Sequence, residues 1–229
     1  MEPEVERYRK PTRVLHWVHA GAFSVLFLTG LVLFIPGLGF LAEGGWTRLL
    51  HRIAAAAFVI APAIYVPLNW TATLRGIKDA FNWGREDIGW ALAAPRYYFF
   101  CDEGAMPPQD HMNTGQKMWW LLVLILSGVF LVTGLVMWLF KTVAPPALLQ
   151  VMVLLHDVAF IGSAPMLFVH IYLSAIHPLM RPARAGAWSS MARGRVSRSY
   201  ARSHHARWYA RVYGTGEPAR EKETEVLSR

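Results

Sequence analysis

Four long apolar stretches constrain this chain more than any other feature. They run from about Trp17 to Phe40, Leu49 to Trp70, Met118 to Phe140 and Leu148 to Ile176. Each is near the ~20 residues a helix needs to cross the hydrocarbon of a bilayer. In lipid every backbone polar group must be satisfied within the segment, so such stretches fold as helices. The chain is 54% hydrophobic with ten Trp among 229 residues, which fits a membrane protein rather than a globular mixture. The expectation is an all-α membrane protein built on a four-transmembrane-helix bundle. The first stretch follows Arg7, Arg9, Lys10 and Arg13. It reads as a span and not a signal peptide, because its apolar part is long and no small-residue cleavage site follows cleanly.

The net charge of +8 is unevenly placed. Arg181, Arg184, Arg193, Arg195, Arg198, Arg202, Arg207 and Arg211 crowd the tail, and the N-terminal arm is basic too. The connections between spans one and two and between three and four hold little beyond Glu43, Arg48 and Lys141. The positive-inside rule then places both termini and the middle loop in the cytoplasm. On a membrane chain such a tail reads as an orientation signal and a surface for anionic lipid or a partner subunit, not for nucleic acid.

Residues 1–180 are expected to form the membrane domain, including a cytoplasmic insertion at 71–116 between helices 2 and 3; residues 181–229 are expected to form a basic cytoplasmic tail. Residues 1–13 read as a polar arm. Span two carries Pro62 and Pro67, which predict a kink or an early end. The insertion is rich in aromatic residues (Trp83, Trp90, Tyr97, Tyr98, Phe99, Phe100). It predicts one or two short amphipathic helices against the inner face. Span three carries a small, packable stripe of Ser127, Gly128, Thr133 and Gly134. No internal repeat is evident.

Four histidines lie in or at the edge of these spans: His16, His51, His156 and His170. An ionisable side chain in a transmembrane segment is costly and marks a functional site by default. With both termini inside, His16 falls at the inner end of span one and His51 at the outer start of span two. In span four His156 is outer and His170 inner. Those two are fourteen residues apart in sequence, which is ~21 Å along a helix and within ~40° of one face. Depth therefore pairs His51 with His156 and His16 with His170. Two imidazoles from different helices suit the two faces of a haem, and two such pairs suit two b-type haems serving electron transfer rather than oxygen chemistry. Cys101 is the single cysteine. An iron–sulfur cluster, a CxxCH haem attachment and an intrachain disulfide are all excluded. Arg52 at the outer face, and Arg13 or Arg181 at the inner, are candidates to pair haem propionates. His19 faces nearly the same side as His16 but lacks a depth-matched partner. His177 reads as a headgroup or haem-edge residue at the inner interface, and His204 and His205 as solvated or subunit-contact residues. His111 reads as a solvated loop residue, with proton relay as its functional alternative.

These residues resemble a known family. Arg13-Val14-Leu15-His16-Trp17, Leu49-Leu50-His51, Asn113-Thr114-Gly115-Gln116-Lys117, Leu154-Leu155-His156 and Val169-His170-Ile171-Tyr172 are similar to the cytochrome b-556 (gamma) subunits of membrane-bound respiratory formate dehydrogenases. The tail Arg195-Val196-Ser197-Arg198 with His204-His205-Ala206-Arg207-Trp208-Tyr209 extends the likeness nearly end to end. The resemblance implies two haem b groups with His16, His51, His156 and His170 as axial ligands. It implies a menaquinone or ubiquinone site near the inner haem lined by Asn113 and Gly115, with Gln116 and Lys117 weaker candidates. It further implies a bacterial cytoplasmic membrane, an iron–sulfur (beta) subunit as electron donor, a molybdenum- or tungsten-containing catalytic subunit behind it, and a possible higher oligomer of the whole complex. Asn113 at the head of span three also reads as a helix N-cap. Two rival readings are the cytochrome of another quinone-linked complex, such as a NiFe hydrogenase, and a non-redox four-helix carrier or scaffold.

Overall fold

The computed structural model describes residues 2–102, 104, 106–177 and 185–214. Four helices are long and apolar enough to cross a membrane: α1 (Lys10–Phe34), α2 (Trp46–Leu68), α5 (Thr114–Leu139) and α6 (Pro146–Ile171), the last continued by a π-helical turn at Tyr172–Ile176. Between α2 and α5 lie α3 (Trp70–Phe81) and α4 (Arg85–Phe100). A short strand β1 (Glu4–Glu6) opens the chain; α7 (Ala187–Ala192), β2 (Arg195–Ser197), α8 (Arg198–His204) and α9 (Ala206–Tyr213) close its described part.

Local chemistry sets the helix ends. Pro11 in the first turn of α1 costs nothing, because its missing N–H has no intrahelical partner there. The helix accordingly starts at Lys10, earlier than its apolar run. It ends at Phe34, where Ile35 turns extended (ψ 114°) before Pro36 and a 3-10 turn spans Pro36–Ala42. The residue before proline is pushed out of the helical region. Helix α2 runs through Pro62 and Pro67 to Leu68, so neither proline ends it early.

Helices α1 and α2 pack as one hairpin and α5 and α6 as another; α1 and α6 meet across the bundle. Buried positions within the spans are small: Ala22, Thr29, Ala54, Thr114, Thr133, Ala159 and Ser163, with Lys117 at the head of α5 as the exception. Large apolar side chains such as Leu28, Ile125 and Leu154 face outward, where a bilayer is the compatible solvent.

A lobe packs at the end of the bundle where α1 begins. Its core is Val5, Tyr97, Val196, Tyr200, Ala201, Trp208 and Tyr209. Strand β1 pairs antiparallel with β2, Val5 opposite Val196. Gly194 (φ +84°) leads into β2; a Cβ there would meet the Tyr8 carbonyl oxygen at 2.6 Å. The expected polar arm is thus a strand followed by the first turn of α1. The described part of the expected tail is folded: Arg193 reaches Glu4 at 2.8 Å, Arg207 pairs with Glu86 and Arg211 with Asp110. These arginines hold the lobe's segments to one another, in addition to any role in orientation. Arg181 and Arg184 lie outside the described residues.

Candidate functional site

Two imidazole pairs face each other between the helical hairpins. At the end of the bundle away from the lobe, His51 of α2 meets His156 of α6 with ring centres 6.4 Å apart and planes tilted by 55°. At the lobe side, His16 of α1 meets His170 of α6, also at 6.4 Å, with a tilt of 49°. Helix α6 therefore presents one histidine at each depth, although Pro165 interrupts its ladder between them. The structure brings together the four residues that depth alone paired.

The far pair is held by two threonines. Thr29 Oγ1 lies 2.8 Å from His51 Nδ1 and Thr133 Oγ1 lies 2.8 Å from His156 Nδ1. Each hydroxyl donates its own proton to the carbonyl one turn back, Val25 at 2.6 Å and Val129 at 2.7 Å. Glycine follows each threonine. A Cβ on Gly30 would lie 3.4 Å from the Phe160 ring and 3.8 Å from His51 Cε1, and one on Gly134 would lie 3.8 Å from His156 Cε1. The arrangement is a repeat. Thr-Gly-Leu-Val occurs at 29–32 and 133–136, and Leu-Leu-His at 49–51 and 154–156. Each hairpin supplies one copy, so the two halves correspond at this depth, contrary to the sequence expectation of no repeat.

The lobe-side pair is built differently. Trp119 stacks on His170 at 4.4 Å with an interplanar angle of 10°, and Trp17 stands edge-on to His16 at 5.1 Å. The Trp17 indole donates to the Met191 carbonyl at 3.0 Å, tying α1 to the lobe. The buried His16 Nδ1 has no hydrogen-bond partner among the described residues. A π-helical turn begins at Tyr172, two residues after His170, a distortion that recurs at functional sites. His19 is used otherwise: its Nε2 bonds the Phe58 carbonyl at 3.0 Å and its ring stacks on Phe58.

Chemistry tests what these pairs can hold. Among the described residues no three His, Cys, Asp or Glu side chains converge as a metal site, whereas a bare structural zinc takes four protein ligands. Two facing imidazoles suit a metal that brings its other ligands with it, as a haem does. With a nitrogen–metal bond of about 2.0 Å and a ring centre about 1.1 Å behind the nitrogen, two imidazoles sharing one metal from opposite sides would stand about 6.2 Å apart, centre to centre. Both pairs match that spacing, and both fit haem.

Asn113 caps α5. Its side chain accepts from the Gln116 N–H at 2.8 Å while Gln116 Oε1 accepts from the Asn113 N–H at 3.1 Å, a reciprocal capping box. Gly115 lies against Trp90; a Cβ there would fall 2.9 Å from the indole ring. Beside them Lys117 Nζ contacts both oxygens of Asp87 at 2.9 and 3.0 Å, and Thr114 Oγ1 donates to Asp87 Oδ1 at 2.6 Å. Burial pushes the Asp87 carboxyl up, but these donors, the Gly84 N–H and the Lys117 charge together hold it below its ordinary value. Burial also pushes the Tyr98 phenol up to about 12.

The remaining candidates make contacts of their own. Arg52 stacks over Trp138 at 5.7 Å, and Arg13 Nη1 donates to the Ala192 carbonyl at 2.9 Å, its buried Nε having no partner among the described residues. Three expectations are overturned. His177 is fully buried and bonds the Tyr98 carbonyl at 3.0 Å rather than lying at an interface. His204 and His205 are buried, not solvated: His204 meets the Tyr97 hydroxyl, and His205 Nδ1 donates to the Asp110 carbonyl at 2.8 Å. They lie in the aromatic core because the tail folds back onto α4. His111 is mostly covered, with Nδ1 3.4 Å from Asp79 Oδ2, and burial holds it below its ordinary value.

The chain is 29% identical over 205 residues to the cytochrome b556 subunit of the nitrate-inducible formate dehydrogenase of Escherichia coli K12, covering 87% of this chain and 88% of that one. A formate dehydrogenase cytochrome b556 subunit of Haemophilus influenzae is 28% identical, covering 91% of this chain and 83% of its own length. A second E. coli K12 formate dehydrogenase cytochrome b556 subunit is 25% identical over 93% of this chain and 95% of its own. The family model of the prokaryotic cytochrome b561 proteins matches residues 7–194, a stretch that contains every helix of the bundle, all four paired histidines and both Thr-Gly copies. The chain belongs to the prokaryotic cytochrome b561 family and is a membrane cytochrome b, a class that carries haem b.

Proposed function

We propose that this chain is the membrane-anchoring dihaem cytochrome b subunit of a formate dehydrogenase complex, relaying electrons from an iron–sulfur subunit across the membrane to quinone. The observation that carries this reading is the pair of histidine pairs. Each has its ring centres 6.4 Å apart, at two depths of one bundle. His51 and His156 would hold the outer haem, and His16 and His170 the inner one. When bound, each haem would supply a one-electron carrier, and two histidines per haem suit transfer rather than oxygen activation.

The chain sits in the bacterial cytoplasmic membrane with the lobe and both termini in the cytoplasm, following the arginine excess. The iron–sulfur subunit, and through it a molybdenum- or tungsten-containing catalytic subunit, docks at the outer side. Formate chemistry belongs to that partner. Asn113, Gly115 and Gln116 stand where α5 leaves the bilayer; an amide N–H there can donate to a quinone carbonyl while the cytoplasm supplies protons. Moving one charge across a potential of ~100 mV involves ~2.3 kcal/mol, so the relay can store energy. The curated relatives are formate dehydrogenase subunits, which favours this complex over a hydrogenase.

Dithionite-reduced difference spectra of the purified protein test the reading. Two b-type α-bands are expected. His156→Ala should lose the outer haem and His170→Ala the inner one. If both variants keep two haems, the ligand assignment fails. Co-purification of an iron–sulfur subunit is expected; a hydrogenase subunit in its place would reassign the complex.

A further inference from the structure

We propose that Thr29 and Thr133 are positioning residues that fix the tautomer of the two outer imidazoles and lower the reduction potential of the haem they hold. The inference rests on the dihaem reading above and assigns to it two side chains beyond the ligands. Each threonine hydroxyl has one proton, and that proton is committed to the carbonyl of Val25 or Val129 at 2.6 and 2.7 Å. Towards histidine the oxygen can only accept. His51 and His156 must therefore donate from Nδ1, at 2.8 Å in both cases. A ring protonated at Nδ1 carries its lone pair on Nε2, the nitrogen left to bind iron.

A threonine bonding its own helix carbonyl is common and by itself means little. Here two threonines in corresponding positions of two hairpins make the same second contact with two facing imidazoles. Both are buried, Thr29 at 9% and Thr133 at 2% exposure, so water does not compete for the Nδ1–H. The glycine after each keeps the helix backbone close to the ring, with the Cβ position only 3.8 Å from the imidazole. A hydrogen bond from the distal N–H raises the basicity of a ligating histidine and fixes its orientation. A more basic ligand favours ferric over ferrous iron, so the potential falls. At the inner pair, His16 Nδ1 has no hydrogen-bond partner among the described residues.

The test uses the full-length protein in detergent. Thr29→Val, Thr133→Val and the double variant keep the side-chain shape and remove the acceptor; Thr133→Ser keeps the acceptor. Haem content is measured by pyridine haemochrome and the two potentials by redox titration. The expected result is two haems throughout. One potential should move positive by at least threefold in the reduction equilibrium constant in each single Val variant and further in the double; the other should stay fixed, and Ser should restore the wild-type value. Loss of the outer haem in Val but not in Ser also supports the positioning role. Two haems with unmoved potentials overturn this inference alone. Loss of haem in Val and Ser alike marks a purely structural role and overturns it as well. A wild-type chain without two haems fails the dihaem reading itself, and this inference with it.

Discussion

Lys117 and Asp87 form a buried ion pair at the head of α5, with the ammonium 2.9 and 3.0 Å from the two carboxylate oxygens and 2.6 Å from the Asn82 carbonyl. The contact fastens α4 to α5 directly behind the Asn113–Gln116 cap. Removing one partner strands the other charge out of water. Asp87→Ala is expected to destabilise the protein by about 3 kcal/mol, and replacing both residues by apolar ones to recover much of that. Thermal unfolding in detergent measures both. Because the folded carboxyl is depressed below its ordinary 3.8, its contribution is full above that value and drains as pH falls through the folded one. The stability gap between wild type and Asp87→Ala should therefore close in acid.

Gly115 has no room for a methyl group. Its Cβ would come 2.9 and 3.1 Å from two atoms of the Trp90 ring, and that indole is itself buried. Gly115→Ala is expected to cost about 1–3 kcal/mol through overpacking. A second change, Trp90→Phe, should relieve most of the strain. An additive loss in the double variant, read by thermal unfolding, would show that the clash is relieved elsewhere.

Asn113 serves the helix cap and, in the proposed function, the quinone. The two roles separate by substitution. Asn113→Ala is expected to lose the cap, at about 1 kcal/mol, whereas Asn113→Asp keeps an acceptor for the Gln116 N–H. Both variants remove the amide donor. Quinone turnover should fall in both while haem content stays intact, and stability should fall only in Ala. Normal quinone kinetics in Asn113→Asp would remove the amide from the site.

His205 makes the lobe acid-sensitive. Burial is the main cause that holds its imidazole well below the ordinary 6.5, followed by the charges of Arg7, His204 and His111. The folded ring stays neutral while the unfolded one takes up a proton as pH falls through 6.5. Stability is therefore full above that pH and lost below it. Protection factors for hydrogen exchange in α8 and α9, each rate corrected for the intrinsic rate at its pH, should fall between pH 7 and 5, and His205→Gln should flatten the dependence. Unchanged protection over that range would contradict the burial argument.

Hydropathy and helix period were enough to place four spans and to match His16 with His170 and His51 with His156, because both are properties of contiguous residues and of a helix with a fixed rise. The N-cap at Asn113 was legible for the same reason. The rest needed the third dimension. Strand β1 pairs with β2 across most of the chain, Val5 against Val196; strands of three residues carry no readable period. That pairing folds the tail back and buries His177, His204 and His205, whose local sequence says only that they are polar. Thr133 reads as a small helix-packing residue and Thr29 carries no signal at all until the hairpins close and bring each hydroxyl to an imidazole more than twenty residues away. Local sequence decides which segments enter the membrane and at what height each side chain rides. Only packing between distant segments decides which side chain faces which, because that choice is made by contacts no single segment contains.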